Sequence, residues 1–372
     1  MQSLYIAITN HGFGHATRAA SVAGMVKKLN PDILLILVTT APRWLLESYI
    51  EGDFIHRPRA LDVGVIQSDS LTMDKQETLA KLAEIRTAQY RIIAGEVNFI
   101  QTNRISLILG DIPPLAAPIA KTAGIPCWMM SNFGWDFIYR DWGEDFAEIA
   151  AWIGDCFSQC DRLFRLPLHE SMSAFPHISD VGLTGGTPRF SEEEIRTTFN
   201  LIQPRERTIL LTFGGLGLQQ IPYHKVEEFP DRQFITFDRH APDFSNLIKI
   251  RDRQYRPVDF MPFCDRVVSK PGFSTFSEAL RLNIPLVSLS REGFAEASLL
   301  ELGLKNYGHH QIISPDAFFQ GNWEFLLRSP NPPQQTSTLA TDGTETIARE
   351  IVQYFENMAT SKATKLAQSS RP

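Results

Sequence analysis

The chain is poor in cysteine, and none of its four (Cys127, Cys156, Cys160 and Cys264) falls in a C-x-x-C pair or beside histidines at zinc-ligand spacing. That argues against a structural zinc site and reads the four as reduced thiols. Long apolar runs are also missing: no stretch approaches the ~18–20 residues needed to span a bilayer. The start has no basic segment followed by an apolar core, since the apolar run at 4–9 is too short for an export signal, so a cytoplasmic location is expected. Basic residues are in deficit, 36 Lys and Arg against 42 Asp and Glu for a net charge of -6. Phosphate-backbone binding requires a basic surface, so nucleic acid is not an expected partner. The exception is local: Lys249, Arg251, Arg253 and Arg256 crowd into "KIRDRQYR", where a solvated connector or edge strand is the favoured reading over an anionic-surface contact.

What is present is an alternation of strand and helix over a length of 372 residues, which suits two domains. Residues 4–9 read as a strand. Ala19, Val22, Ala23, Val26 and Leu29 then recur at helical spacing, with Lys27 and Lys28 in the last turn. "ILLILVTTAP" at 33–42 is nearly all apolar, as in a parallel strand covered on both faces. A long helix over 78–102, a strand over 106–111, a helix over 115–123 and a strand from "IPCWMMSN" continue the pattern. "VGLTGGTPRF" (181–190) has the Gly/Pro content of an interdomain linker. After it "TILLTFGGLG" restarts strand and glycine loop. The segments Asp111 to Ile125 and Lys270 to Ile284 repeat one plan of strand end, polar loop, helix, Ile-Pro and new strand. The expected fold is α/β with two facing Rossmann-like domains, parallel sheets and a cleft between them. The first domain covers 1–185 and the second 186–343, followed by a C-terminal helix over 344–358 and a frayed tail over 359–372.

Two glycine loops carry the chemistry. In "ITNHGFGHATR", Gly12 and Gly14 allow a tight turn and close approach of a ligand at a strand's carboxyl end. His15, at the mouth of the following helix, faces the crevice as a proton acceptor near neutral pH, with Arg18 beside it. A dinucleotide fingerprint is disfavoured: it needs glycine where Thr17 stands, and the second strand ends "VTTAP" with no acidic residue for a ribose. The bland alternative is a tight βα turn that His15 merely caps. In the second half, Gly214, Gly215 and Gly217 follow a buried strand, and "SKPGFSTFSEAL" places Ser274 and Thr275 at a helix start whose amides suit a diphosphate. Glu278 lies about one turn on, spaced either to accept ribose hydroxyls or to close a capping box on Ser274 or Thr275.

"SKPGFSTFSEALRLNIPLVSL" resembles the donor-binding segment of GT-B glycosyltransferases of the MurG-like, family 28 type, and "HGFGHATR" resembles the amino-terminal glycine loop of that group. The two together are similar to the glycosyltransferase-like amino-terminal domain of plant-type L-arabinokinases, over most of 4–304; nothing of a kinase domain is present. The resemblance implies Glu278 as the ribose ligand and Gly272, Ser274 and Thr275 as the diphosphate cradle, with Gly214 and Gly215 as a second backbone contact. His15 with Gly12 and Gly14 would face the transferred sugar or the acceptor, and Asp111, ending a strand of the acceptor half, is the other candidate base. Where the MurG-like group carries an Asp/Gln and Gln-x-x-Asn-Ala pattern for the donor sugar, this chain reads "SREGFAEASLLELG", so Arg291, Glu292 and Glu296 take that region.

These readings imply transfer of a sugar from a nucleoside diphosphate, UDP by resemblance, to an acceptor hydroxyl, with inversion, and with no metal ion and no cofactor. The partners expected are the nucleotide-sugar donor and a small-molecule or lipid-linked acceptor. "SNFGWDFIYRDW" (131–142), with Asn132 and Trp135, is the candidate acceptor stretch, although aromatics at this spacing are more often core. "PRWLLESYI" could rest on a membrane surface, but an ordinary packed helix is favoured. The alternatives are a sugar-nucleotide epimerase on the same frame and a non-catalytic sugar-nucleotide sensor. An epimerase converts the donor without acceptor; a sensor tolerates loss of His15 and Asp111 but not of Glu278.

Overall fold

A computed structural model describes residues 2–67, 72–215, 217–218 and 220–369, with side chains as far as Thr360. Leu216 of the second glycine loop and the last three residues of the expected tail lie outside the described residues. Seven strands build the first sheet: β1 (Gln2–Ile8), β2 (Ile33–Val38), β3 (Ile55–Arg57), β4 (Leu107–Asp111), β5 (Cys127–Ser131), β6 (Arg162–Arg165) and β7 (Ile178–Asp180). Their order is β3-β2-β1-β4-β5-β6-β7, and every pairing is parallel. Helices α1 (Gly14–Leu29), α2 (Arg43–Glu47), α3 (Lys75–Thr102), α4 (Ala116–Ala123), α5 (Trp135–Asp141) and α6 (Ala147–Phe157) make the crossovers and cover the faces. The strands are apolar nearly throughout because both faces are packed; Leu4 to Ile8 and Leu35 to Val38 are wholly buried.

The second lobe repeats the plan with α7 (Glu192–Phe199), β8 (Thr208–Leu211), β9 (Gln233–Thr236), β10 (Leu247–Lys249), α8 (Pro257–Phe260), β11 (Arg266–Ser269), α9 (Phe273–Arg281), β12 (Leu286–Leu289), α10 (Ala295–Tyr307), β13 (His310–Ile313) and α11 (Pro315–Phe319). The sheet order β10-β9-β8-β11-β12-β13 again leaves a switch point between its first and fourth strands in sequence. The repeat seen in the sequence thus maps onto β4-α4-β5 and β11-α9-β12, the same place in each lobe. Both helices end in a left-handed residue, Gly124 at φ 73° and Asn283 at φ 53°. The next amide, of Ile125 or Ile284, bonds back to Ala120 or Ala279 at 3.1 and 2.9 Å.

The terminal helix α12 (Gly343–Ser369) is longer than the pattern predicts, running on where a frayed tail is expected; "ATSKATKLAQS" contains no glycine or proline to stop it. It returns to the first lobe. Ile347, Ile351 and Phe355 are buried in the apolar cluster that α1 shares with both sheets, and the Tyr354 hydroxyl donates to the Ser106 carbonyl at 2.9 Å. Two sequence alternatives resolve here. In "KIRDRQYR", Lys249 pairs with Asp243 and Arg256 is buried against Asp259, so the segment is a connector. In "PRWLLESYI", Leu45, Leu46 and Ile50 are buried, as in an ordinary packed helix. Among the described residues no helix is long and apolar enough to cross a membrane.

Candidate functional site

The two switch points face each other. The loop after β1 and the first turns of α1 supply one wall of a cavity, with the end of β4 behind them, and the loops after β8 and β11 supply most of the other. His15 is the second residue of α1 and is 7% exposed. Its Nδ1 lies 2.8 Å from Asp111 Oδ1 at the carboxyl end of β4. Because an ionised carboxylate only accepts, Nδ1 donates and the lone pair is left on Nε2. Asp111, wholly buried, also receives Arg18 through Nε at 2.8 Å and Nη2 at 2.5 Å. Burial opposes its ionisation, but the Arg18 charge, the Arg18 hydrogen bonds and His15 outweigh that and hold the carboxyl below the usual range. Asp111 therefore stands behind His15 as its orienting partner and is not a second base open to the cavity.

The network continues across the cleft. Arg18 Nη1 donates to Asn132 Oδ1 at 3.1 Å, and Asn132 Nδ2 donates to Glu296 Oε1 of the second lobe at 2.9 Å. Arg18 also sits 5.0 Å from the Phe273 ring centre. Arg18, 3% exposed, is thus committed to structure although one edge lines the cavity. Asn132 lies behind it and does not line the cavity. Trp135, 1% exposed, gives its indole N–H to Thr9 Oγ1 at 3.0 Å, and with Phe133 and Tyr139 it belongs to the core. The core reading of that aromatic stretch prevails because each ring has a packed neighbour and Trp135 has a buried hydrogen-bond partner.

On the opposite wall, Gly214, Gly215, Gly272, Ser274, Thr275, Arg291 and Glu296 all line the cavity, as do Gly12 and Gly14 of the first loop. The amino terminus of α9 opens onto it, with Gly272 as N-cap and no side chain capping it. Neither Ser274 nor Thr275 closes a capping box with Glu278. The Ser274 hydroxyl instead donates across the cleft to the Gly14 carbonyl at 2.7 Å. Gly215 answers to a close approach from the other lobe, since a Cβ there would overlap the ring of Phe13; Phe13 in turn packs edge-on against Trp44. Glu278 and Glu292 are outside this cavity. Glu292 is exposed. Glu278 is buried with its Oε1 accepting from the Gly186 amide of the linker at 2.9 Å, and burial pushes its carboxyl up to about 7 against the opposing pull of that amide, Arg256 and Arg281.

Sequence reasoning missed eight of the cavity residues, three of which bear on its chemistry. Lys270 follows β11 at the position that Asp111 occupies in the first lobe; burial and the neighbouring Arg291 lower its ammonium to about 8 while Glu296 acts the other way. The repeat alignment already paired it with Asp111, and that was the signal. Phe294 and His11 complete the set; the two histidines of "HGFGH" were visible, but spacing favoured only His15. The cavity, partly open to solvent, measures about 100 Å³, well under the ~300 Å³ where small-molecule pockets begin.

No protein-family model matches the chain. Its fold is that of GT-B glycosyltransferases. UGT71G1 of Medicago truncatula, solved with UDP-glucose, superposes with a TM-score of 0.58 at 12% identity over 94% of this chain and 93% of that one. UGT89C1 of Arabidopsis thaliana, solved with UDP, gives 0.58 at 9% identity over 88% and 90%. The spinosyn forosaminyltransferase SpnP gives 0.57 at 13% identity over 97% and 99%. Along the sequence, the chain is 30% identical over 310 residues to the L-arabinokinase of Arabidopsis thaliana, an alignment covering 81% of this chain. The matched region is 29% of that protein, so the chain spans under a third of its length.

Proposed function

We propose that this chain is a glycosyltransferase that moves a sugar from a UDP-linked donor to an acceptor hydroxyl. The observation that carries this reading is the His15–Asp111 pair at one switch point, facing across a cavity the uncapped amino terminus of α9 with Ser274, Thr275 and Lys270. The UDP-bearing structures of the same fold support the donor class.

In this reading His15 Nε2 takes the proton of the acceptor hydroxyl as its oxygen attacks the anomeric carbon, a contribution of ~10²–10⁴-fold. The bond from that carbon to the β-phosphate oxygen breaks, with inversion, and UDP leaves with the electron pair. Negative charge growing on the diphosphate meets the α9 amides, the hydroxyls of Ser274 and Thr275, and the Lys270 ammonium, so the chain's own groups supply the neutralisation without a divalent ion. Asp111 keeps His15 in the productive tautomer, while Arg18 shares the Asp111 charge. Glu278 takes no part in this reading: it is buried outside the cavity, its Oε1 held by the Gly186 amide of the linker. Arg291 and Glu296 sit nearest the transferred sugar. A nucleotide-sugar exceeds the volume of this cavity, so the donor enters when Phe13 withdraws from the Gly214–Gly215 loop and the Ser274–Gly14 bond opens.

A thermal-shift panel of nucleoside diphosphates and their sugar conjugates tests the donor site. A true ligand at 100 times its Kd stabilises by ~2.7 kcal/mol. Release of UDP from the stabilising donor, dependent on added acceptor, tests transfer; conversion of the donor without acceptor indicates an epimerase instead. Stabilisation by none of the panel overturns the proposal.

A further inference from the structure

The mechanism above leaves one imidazole of the cavity, half-buried, unused. His11, four residues before His15, lines the same cavity. Its Nδ1 accepts from the Val65 amide at 3.2 Å. A backbone amide can only donate, so Nδ1 carries the lone pair and, in the neutral ring, the proton sits on Nε2. Burial, then the nearby His15, Arg291 and Lys270, lower the basicity of His11 well below the ordinary value, so the ring stays neutral. His15 has the opposite tautomer, with Nδ1 donating to Asp111 and Nε2 accepting.

The placement of His11 is built. Its ring stacks on Phe294 of the second lobe at 5.8 Å and meets Trp135 edge-on at 5.3 Å. A Cβ on Gly64 would come within 2.6 Å of the His11 Cβ, so a bare backbone is pressed against the residue. The same segment holds Asn10, whose amide donates to Asp62 Oδ1 at 2.9 Å, and Tyr139 donates its hydroxyl to the Gly64 carbonyl at 2.5 Å. The edge bearing Nδ1 faces that segment, which leaves the Nε2 side for the cavity, and no described group bonds Nε2. The ring centres of His11 and His15 are 6.2 Å apart in an edge-to-face arrangement, so the two imidazoles border the cavity side by side.

We infer that His11 is a sugar-reading residue: its Nε2–H donates a hydrogen bond to an oxygen of the transferred sugar, beside the attacking hydroxyl held by His15. The inference rests on the glycosyltransferase reading. Proximity carries it: the anomeric carbon must come within ~3–3.5 Å of the attacking oxygen, which puts the sugar ring beside His15 and within reach of His11, whereas the diphosphate is drawn to α9 on the other wall.

The experiment measures, by calorimetry, the affinities of wild type, His11→Phe and His11→Gln for UDP and for whichever UDP-sugar the wild type binds best among UDP-glucose, UDP-galactose, UDP-glucuronate and UDP-N-acetylglucosamine. The expected result is that His11→Phe weakens the UDP-sugar about tenfold, the loss of roughly one hydrogen bond, and leaves UDP unchanged. His11→Gln, whose amide restores a donor near Nε2, recovers most of the loss. An unchanged ratio of UDP-sugar to UDP affinity in His11→Phe, or an equal loss of both ligands, overturns the inference while the donor-site reading stands. Wild type that binds neither UDP nor any UDP-sugar overturns both. As a check independent of any variant's folding, nitrogen NMR of the wild-type imidazole is expected to show the neutral Nε2–H tautomer at pH 6; an imidazolium or the Nδ1–H tautomer there also overturns the inference.

Discussion

At one topological position the first lobe presents Asp111 and the second presents Lys270. The frames around them match down to the left-handed residue that ends each following helix. Their surroundings do not. Asp111 is sealed beneath α1, which supplies Arg18 to neutralise it and His15 to use it. After β8 no described helix takes the place of α1: the chain passes through Gly214 and Gly215 to a short 3-10 turn at Tyr223–Glu228. Lys270 therefore has no counterpart of Arg18 and keeps its ammonium on the cavity wall. A duplicated sheet sets where chemistry can sit; the element following the first strand decides whether the charge there is internal support or a surface for ligand.

The comparison breaks most severely in the first lobe. His15→Ala should lower turnover by ~10²–10⁴-fold with UDP binding and melting behaviour retained, as read by UDP release and thermal shift. Asp111→Asn should lose activity and also stability, by ~3–5 kcal/mol, because Arg18 is left as a buried charge without its partner; urea denaturation measures it. In the second lobe, Lys270→Met should cost roughly 10–100-fold in UDP affinity, the range of a charge-assisted hydrogen bond of ~1.5–3 kcal/mol. The wild-type affinity should decline above about pH 8, where Lys270 loses its proton, and the variant should lack that decline.

A smaller effect concerns the linker. The carboxyl of Glu278 stands at about 7 in the fold against 4.5 ordinarily. The folded state thus holds this proton more tightly, so the contribution to stability is complete below about 4.5 and is lost as pH rises through about 7. Asp62, raised by burial from 3.8 to about 7, acts in the same direction. Denaturation midpoints should therefore fall between pH 4.5 and 7, and Glu278→Gln should flatten that slope in part, leaving the share of Asp62. The smallest effect is expected from Phe13→Ala, which removes the ring from the Gly215 loop and should tighten UDP by a few-fold; Gly215→Ala, which blocks the same contact, should act in the same sense.

Much of this frame is written locally. Continuous apolar strands, helical spacing and the Ile-Pro repeat made the double sheet legible, because burial on both faces leaves an unmistakable composition. Residues at switch points were legible for the same reason: His15, Ser274 and Thr275 sit where a strand meets a helix. The orientation of side chains along a helix was not. Glu278 has the spacing to share a face with Ser274, but its carboxyl is drawn to an amide of the linker 92 positions away, and no local pattern encodes that partner. Trp135 and Asn132 were misplaced toward an acceptor because sequence does not distinguish a ring facing a cleft from one whose N–H is already spent on Thr9.

The terminal helix α12 has a mechanical consequence. The polypeptide passes between the lobes twice, once through 181–190 and once where α12 returns to dock on α1, and the two crossings lie side by side, joined by the Leu183 amide to the Ala340 carbonyl at 2.8 Å. A body held at paired points along one edge swings like a door about the line through them and resists sliding or twisting. Ser274 stands one turn of α9 before Ser277, whose hydroxyl donates to the Thr184 carbonyl of the first crossing, so the cavity is hinged close to its α9 wall.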